Sequence, residues 1–310
     1  MAWGTQRNWR WCSKCQGLWF GGNPAGPCPA GGKHTKVGSG NYSLVHNATS
    51  APGQANWRWC SKCQGLWFGG NPAGPCPAGG KHVKTGSGNY TLATNPGAGQ
   101  ANWRWCGKCQ GLQFGGNPAG PCPAGGTHVK VGSANYRLVP VTTTVRVHVK
   151  VLTSPTVSLD TMLHNTREVY AAGAIDVEWL TTEALSLPAL NDVDVGSCVS
   201  GVTTAEQAQL FANRNNVGAN ELVVYMVRST IPPFNGCAAH PAGRPGAVVA
   251  QGASQWTFAH ELGHVLGLGH VSNNDRLMTG LGTANITNPP PDLVAAEVAT
   301  MVASPFTINV

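Results

Sequence analysis

His260-Glu261-Leu262-Gly263-His264-Val265-Leu266-Gly267-Leu268-Gly269-His270 is the stretch on which the reading of this chain turns. If its first half is helical, His260 and His264 are four residues apart and share one face, so both imidazoles reach a single ion. Gly267 can take the positive φ that ends a helix and turns the chain back. That reversal brings His270 round as a third ligand. Three neutral imidazoles suit Zn2+ and leave one position open for a water, whose pKa falls to roughly 7 on the ion. Glu261, next to the first histidine, is then placed to act as a general base.

Around this stretch, residues 141–310 read as an α/β (α+β) domain. Val145–Val151 alternates with period two and predicts a strand, as does Ile175–Trp179. Leu159–Ala172 has helical spacing. Thr203-Thr204-Ala205-Glu206 reads as a capping box opening a helix to about Asn213. Leu222–Val227 reads as a buried strand and Gly246–Gln251 as a short edge strand. Ser254 to about Leu266 and Asp292–Val302 are the last two expected helices.

The histidine segment resembles the metzincin family of zinc metallopeptidases, whose H-E-x-x-H-x-x-G-x-x-H motif is matched at every fixed position. With Leu277-Met278 eight residues on, it looks most like the matrixins. The resemblance covers Ser254–Thr279 closely and the rest of 141–310 in element order. It implies a zinc-dependent endopeptidase acting on protein or peptide substrates. His260, His264 and His270 would hold the catalytic zinc, Glu261 would be the general base, and Met278 would form the methionine turn beneath the site. It also implies that an edge strand, here Gly246–Gln251, pairs with extended substrate, and that Gly280–Asn288 walls the S1′ pocket. The matrixins' cysteine-switch propeptide and His-x-Asp zinc segment are not evident, so neither that form of latency nor extra structural metals in this domain are implied. Cys198 and Cys237 are the only cysteines of this half. A disulfide between them is expected and would imply an oxidising compartment; a thiolate capping the catalytic zinc is the alternative. His148, His164 and His240 read as ordinary surface or packed histidines.

Upstream, one 37-residue unit is written three times, at Asn8–Leu44, Asn56–Leu92 and Asn102–Leu138. The first two copies differ only at Thr35/Val83, Val37/Thr85 and Ser43/Thr91. Each carries C-x2-C-x12-C-x5-H: Cys12, Cys15, Cys28 and His34; Cys60, Cys63, Cys76 and His82; Cys106, Cys109, Cys122 and His128. Two knuckle sulfurs plus a later Cys and His complete a tetrahedron, and a unit this small and rich in Gly and Pro needs a staple. Three structural zinc ions are therefore expected, with one disulfide per copy as the alternative. Aromatic alternation around Cys12-Ser13-Lys14-Cys15 predicts a hairpin, and a second is expected at His34–Leu44, turning at Gly38-Ser39-Gly40. The copies could be separate beads or close into a pseudo-threefold β structure such as a trefoil. Trp19 and Trp67 become Gln113 in the third copy, which suggests an exposed position suited to a glycan, a base or a lipid headgroup; hydrophobic cover for the zinc site is the other reading and the preferred one.

Charge divides at the same place. Residues 1–140 hold 13 Lys/Arg and no Asp or Glu, whereas 141–310 hold 7 Lys/Arg and all 13 acidic residues. The basic half therefore invites an anionic surface, glycan or nucleic acid, or else docks on the acidic half. No apolar run reaches the roughly 18 residues that span a bilayer. Met1–Arg7 lacks the apolar core of a signal peptide. The expected extracellular location would then be reached by a route the sequence does not display, a cytoplasmic location being the alternative. Two function classes follow: a peptidase targeted by its repeats, and a binding protein for an anionic polymer in which the peptidase arm is secondary.

Overall fold

The computed structural model describes residues 4–48, 51–94 and 97–310. The chain divides into two compact units, Trp3–Val141 and Thr142–Val310. No helix among the described residues is long and apolar enough to cross a membrane.

In the first unit each copy contributes a long, a very short and a medium strand. These are β1 (Gly4–Trp11), β2 (Leu18–Phe20) and β3 (Tyr42–His46); β4 (Gln54–Trp59), β5 (Leu66–Phe68) and β6 (Tyr90–Thr94); β7 (Gln100–Trp105), β8 (Leu112–Phe114) and β9 (Tyr136–Pro140). The knuckle hairpin forms as expected, with Trp9 opposite Phe20 and Trp11 opposite Leu18. The hairpin expected at His34–Leu44 does not form. Its second half, β3, pairs instead with β1, placing Leu44 opposite Gln6 and Tyr42 opposite Trp9. The intervening residues are occupied elsewhere: His34 turns in to the cysteine cluster, and Ser39 Oγ accepts from the Trp11 amide at 2.7 Å.

The copies are not beads. The Phe20 amide donates to Gln64 O, the Phe68 amide to Gln110 O and the Phe114 amide to Gln16 O, each at 2.8 Å, so copy 3 closes back onto copy 1. Edge-to-face ring pairs follow the same cycle: Trp9 with Tyr90, Trp57 with Tyr136 and Trp103 with Tyr42, at 5.1–5.3 Å. The three tryptophans are fully buried, with Leu18, Leu44 and their equivalents, in one shared core. A copy excised from this ring would lose half of every such pair.

The second unit is a twisted sheet with helices. Its elements are β10 (Thr143–Val151), α1 (Leu159–Ala171), β11 (Ile175–Ala184), β12 (Asp192–Asp194), α2 (Ala205–Leu210), β13 (Leu222–Val227), β14 (Ser229–Ile231), β15 (Gly236–Cys237), β16 (Gly246–Ala250), α3 (Thr257–Val265), α4 (Ala295–Val302) and β17 (Thr307–Asn309). The main sheet runs β11-β10-β13-β16-β15, parallel except for β15, and β17 lies antiparallel to the start of β10. Period two in β10 puts Val145, Val147 and Val149 into the core. Its other face is covered too: His148 Nε2 meets Glu221 at 2.9 Å, Arg146 meets Glu178 at 3.1 Å, and the buried Lys150 ammonium pairs with Glu183. His148 is thus a packed, partnered histidine, as expected.

Four sequence expectations need correction here. Gly246–Gln251 is not an edge strand: β16 is buried throughout, and Gly236–Cys237 covers it on the side away from β13. The capping box is Thr204 with Gln207, not Thr203 with Glu206, because Glu206 is drawn off to accept from the Asp194 amide at 2.7 Å. That helix also ends at Leu210 rather than Asn213. The last helix begins at Ala295; Asp292 instead exchanges main-chain hydrogen bonds with the 275–277 segment.

Candidate metal centres and the cleft

Helix α3 carries His260, Glu261 and His264 and ends in a two-bond reversal: Leu268 N donates to Gly263 O at 2.9 Å and Gly267 N to His264 O at 3.0 Å. Gly267 sits at φ +102°, which side chains other than glycine rarely accept. The reversal carries His270 back onto the helix face. The result is a triangle of Nε2 atoms: His260–His264 3.0 Å, His264–His270 3.0 Å and His260–His270 3.2 Å. His260 Nδ1 lies 2.8 Å from Leu277 O, and His264 Nδ1 lies 2.8 Å from Leu268 O. Each carbonyl can only accept, so the Nδ1 atoms carry the protons and the Nε2 lone pairs face one another. Burial lowers the pKa of His260 to about 4 and that of His264 in the same direction, keeping both neutral. Two lone pairs fixed in this way, with the Nε2 of His270 closing the triangle, call for a cation. Zn–N bonds of about 2.0–2.1 Å in a tetrahedron place nitrogens about 3.3 Å apart, which this triangle fits.

Met278 is fully buried against α3, its Sδ 2.6 Å from where a Cβ on Gly263 would stand. The Met278 segment therefore passes beneath the histidines, and its neighbour Leu277 orients one of them. The Arg276 guanidinium, 2.6 Å from Glu297 on α4, pins the segment from behind.

His264, His270 and Glu261 line one cleft of about 730 Å³, together with Gly236, Ala238, His240, Phe234 and Phe306 among others. Among the described residues no Lys or Arg lines it, and Glu261 is its one acid. Burial by itself raises the Glu261 carboxyl to about 8, and a cation held by the histidines beside it would draw it back down toward the carboxylate form. The carboxylate lies flat against β15: a Cβ added at Gly236 would stand 2.6 Å from Glu261 Cδ. We expect Gly236→Ala to leave metal content unchanged while lowering kcat by up to about 10²-fold, because it displaces the carboxylate by an ångström or so. Steady-state kinetics beside metal analysis would check this; unaltered kcat would mean the carboxylate's place against β15 is unimportant.

The sulfurs of Cys198 and Cys237 are bonded, with Cα atoms 5.7 Å apart. Neither is then a thiolate that could cap the histidine centre. The disulfide tethers β15 to the 197–200 wall of the same cleft. Sequence reasoning missed Gln207, buried on α2: its Oε1 accepts from its own helix cap, and its Nε2 donates to Ala239 O at 3.0 Å, bracing the cleft wall. Glutamine at the third position of a capping box was the available signal.

In the first unit the four ligand atoms of each copy lie within 4.8 Å of one another. Cys12 Sγ is 3.9 Å from Cys28 Sγ, with 4.0 Å in the other two copies, and Cys15 Sγ is 3.6 Å from His34 Nδ1. All nine of these cysteines are free, against the disulfide alternative, and the separations match the roughly 3.8 Å between sulfurs of a tetrahedron with Zn–S of about 2.3 Å. The Cys15 thiol is pushed up by its hydrogen bonds to the other two sulfurs and then by burial, so three thiolates coexist here only around a cation. The Thr35 amide, 3.5 Å from Cys12 Sγ, supports a thiolate ligand. Residues expected to be exposed are buried: Trp19 and Trp67 are each 3% exposed and Gln113 is 2%. Trp19 stacks on His34 and Trp67 on His82, ring centroids 5.5 Å apart. The position is cover for the metal site, and its interior place leaves no surface ring for a glycan or base.

No family model matches the chain, and no curated protein matches it. Among solved structures, it is similar to metalloproteinase-II from Bacteroides fragilis, at 17% identity and a TM-score of 0.39 over 56% of this chain and 63% of that one. An archaemetzincin from Methanopyrus kandleri aligns at 16% identity and a TM-score of 0.36, covering 51% of this chain and 93% of that one. A zinc-dependent peptidase from Methanocorpusculum labreanum aligns at 14% and 0.34, covering 50% and 99%.

Proposed function

We propose that the chain is a zinc-dependent endopeptidase of the metzincin type. The observation that carries this reading is the Nε2 triangle of His260, His264 and His270 sharing a cleft with the buried carboxylate of Glu261. Bound there, Zn2+ would supply a Lewis acid that acidifies water and polarises a peptide carbonyl. Glu261 accepts the proton of the attacking water and delivers it to the leaving nitrogen. The edge strand β15, not β16, offers main-chain groups to an extended peptide, which gives affinity with little sequence preference. Apart from Glu261 and its histidines the cleft is lined by uncharged side chains, which favours uncharged substrate side chains. Likeness to matrixins in particular rests on the His260–Met278 segment alone. The S1′ wall is assigned to Gly280–Asn288 by the same resemblance.

The acid-free first unit we read as the part that targets the peptidase to an anionic partner, such as a surface, glycan or nucleic acid; its attraction should weaken steeply with salt. The Cys198–Cys237 disulfide suits an oxidising, extracellular setting.

The test is His270→Ala. This ligand lies beyond α3 and is exposed, so the hydrophobic core should tolerate the change. We expect metal affinity to fall by more than the roughly 10–100-fold typical of losing a group that only orients a ligand, and proteolysis to fall with it. A variant with normal metal content and normal rate would overturn the ligand set, and protein digestion that a chelator does not stop would overturn the function.

A further inference from the structure

We infer that the third copy is an exchangeable metal site, the one position in the ring from which a competing thiol or chelator takes the metal first. The inference rests on the metal reading of the repeats. Its ground is a difference among three otherwise equivalent sites.

A closed tetrahedral shell has no vacant position, so exchange starts when one ligand leaves. Of three sulfurs and one imidazole, the neutral imidazole leaves at the smallest electrostatic cost. In copies 1 and 2 an indole holds that imidazole in place: the Trp19–His34 and Trp67–His82 planes are 16° and 15° from parallel. In copy 3 the same hairpin position, opposite Arg104 as Trp19 is opposite Arg10, is Gln113. Its Nε2 makes a long hydrogen bond of 3.4 Å to Val129 O, in the residue that follows His128. Its buried Oε1 has no hydrogen-bond partner. An orphan polar atom is common to the three copies, since the buried indole Nε1 of Trp19 and of Trp67 is also without a partner. What sets copy 3 apart is that an aromatic lid has been replaced by a smaller, non-aromatic side chain, so the imidazole of His128 lacks the stacking partner that His34 and His82 have.

Static exposure does not separate the sites, since His82 and His128 are both 8% exposed. The difference lies in what resists the ring's departure. Losing a stacked ring contact is worth about tenfold in an equilibrium.

Thiol labelling isolates these sites from the histidine centre, whose ligands carry no thiol, and from the Cys198–Cys237 disulfide. The full chain, loaded with Zn2+, is exposed to EDTA and sampled with brief pulses of N-ethylmaleimide, and labelled cysteines are located by peptide mass spectrometry. The expected result is early labelling of Cys106, Cys109 and Cys122, at least about ten times faster than the other six. Gln113→Trp should abolish the fast phase. Trp67→Gln should create a second one at Cys60, Cys63 and Cys76, and it keeps the test open if the first variant does not fold. Labelling of all nine thiols at one rate, or a fast phase in another copy, would overturn the inference. Labelling that is complete before EDTA is added would overturn the metal reading beneath it, a result readily told from the former.

Discussion

Glu261→Gln is expected to retain metal at the His260/His264/His270 centre and to lose peptide hydrolysis by about 10²–10⁴-fold or more. The amide has nearly the shape of the carboxylate, and the space it must fill is bounded by β15 on one side and α3 on the other. Packing therefore changes little. What disappears is a group able to take a proton from water and return it to the leaving nitrogen. The glutamine also removes a buried ionisable group, so folding stability should not fall. Metal analysis, a thermal melt and turnover of an unstructured protein substrate together separate the possible outcomes. Most activity remaining would exclude Glu261 as the base. Activity lost together with metal would mean that Glu261 acts through the ligands and not on water.

The legibility of this site in the sequence has a physical origin. His260, Glu261, His264, Gly267 and His270 fall within eleven residues, and one helix plus one reversal relates them. Local geometry suffices, so spacing alone locates the ligands. The wall opposite them was not legible. Gly236–Cys237 is two residues long, too short for any periodicity; it is a strand only because β16 pairs with it and a disulfide and Gln207 hold it there. Without that strand β16 reads as an edge. The capping box failed differently. Thr203/Glu206 and Thr204/Gln207 both satisfy the pattern, and the choice is made by the Asp194 amide, which claims Glu206 from outside the helix.

The repeats show another limit. Near-identical copies guarantee that any edge which pairs with its neighbour can do so again. They do not say whether the third pairing returns to the first copy, since that depends on backbone curvature accumulated over about a hundred residues. The substitution of Trp by Gln suggested a surface position, on the ordinary ground that polar residues face water. The burial of Gln113 with an orphan oxygen is the kind of local conflict that propensity rules cannot anticipate.

Removing the metal should have opposite consequences for the two units. In Trp3–Val141 the nine cysteine sulfurs and the histidines clustered with them, His34, His82 and His128, sit at the joints of a ring whose strands are as short as three residues. Metal binding in small Cys/His modules is worth about 10–16 kcal/mol at neutral pH, which is folding free energy where little else is buried. The ring does have a shared aromatic core, but around each cluster the apolar cover is a single tryptophan, or none in copy 3, with a few small or β-branched residues. Excess strong chelator should therefore unfold this unit, exposing its tryptophans and shifting their fluorescence to the red. Nine thiols should appear without any reductant. The Thr142–Val310 unit should lose proteolysis under the same treatment but keep its fold, because its sheet is buried on both faces and a disulfide ties the cleft wall. Its histidine centre lies on a helix end and a loop, outside the hydrophobic core. Re-addition of Zn2+ should restore proteolysis at once, whereas the repeats must refold before their thiols are protected again. A near-ultraviolet spectrum of the ring unchanged by chelation would show that the aromatic core alone holds the copies together. A need for reductant before the nine thiols react would show that the sulfurs are paired with one another and not with a metal.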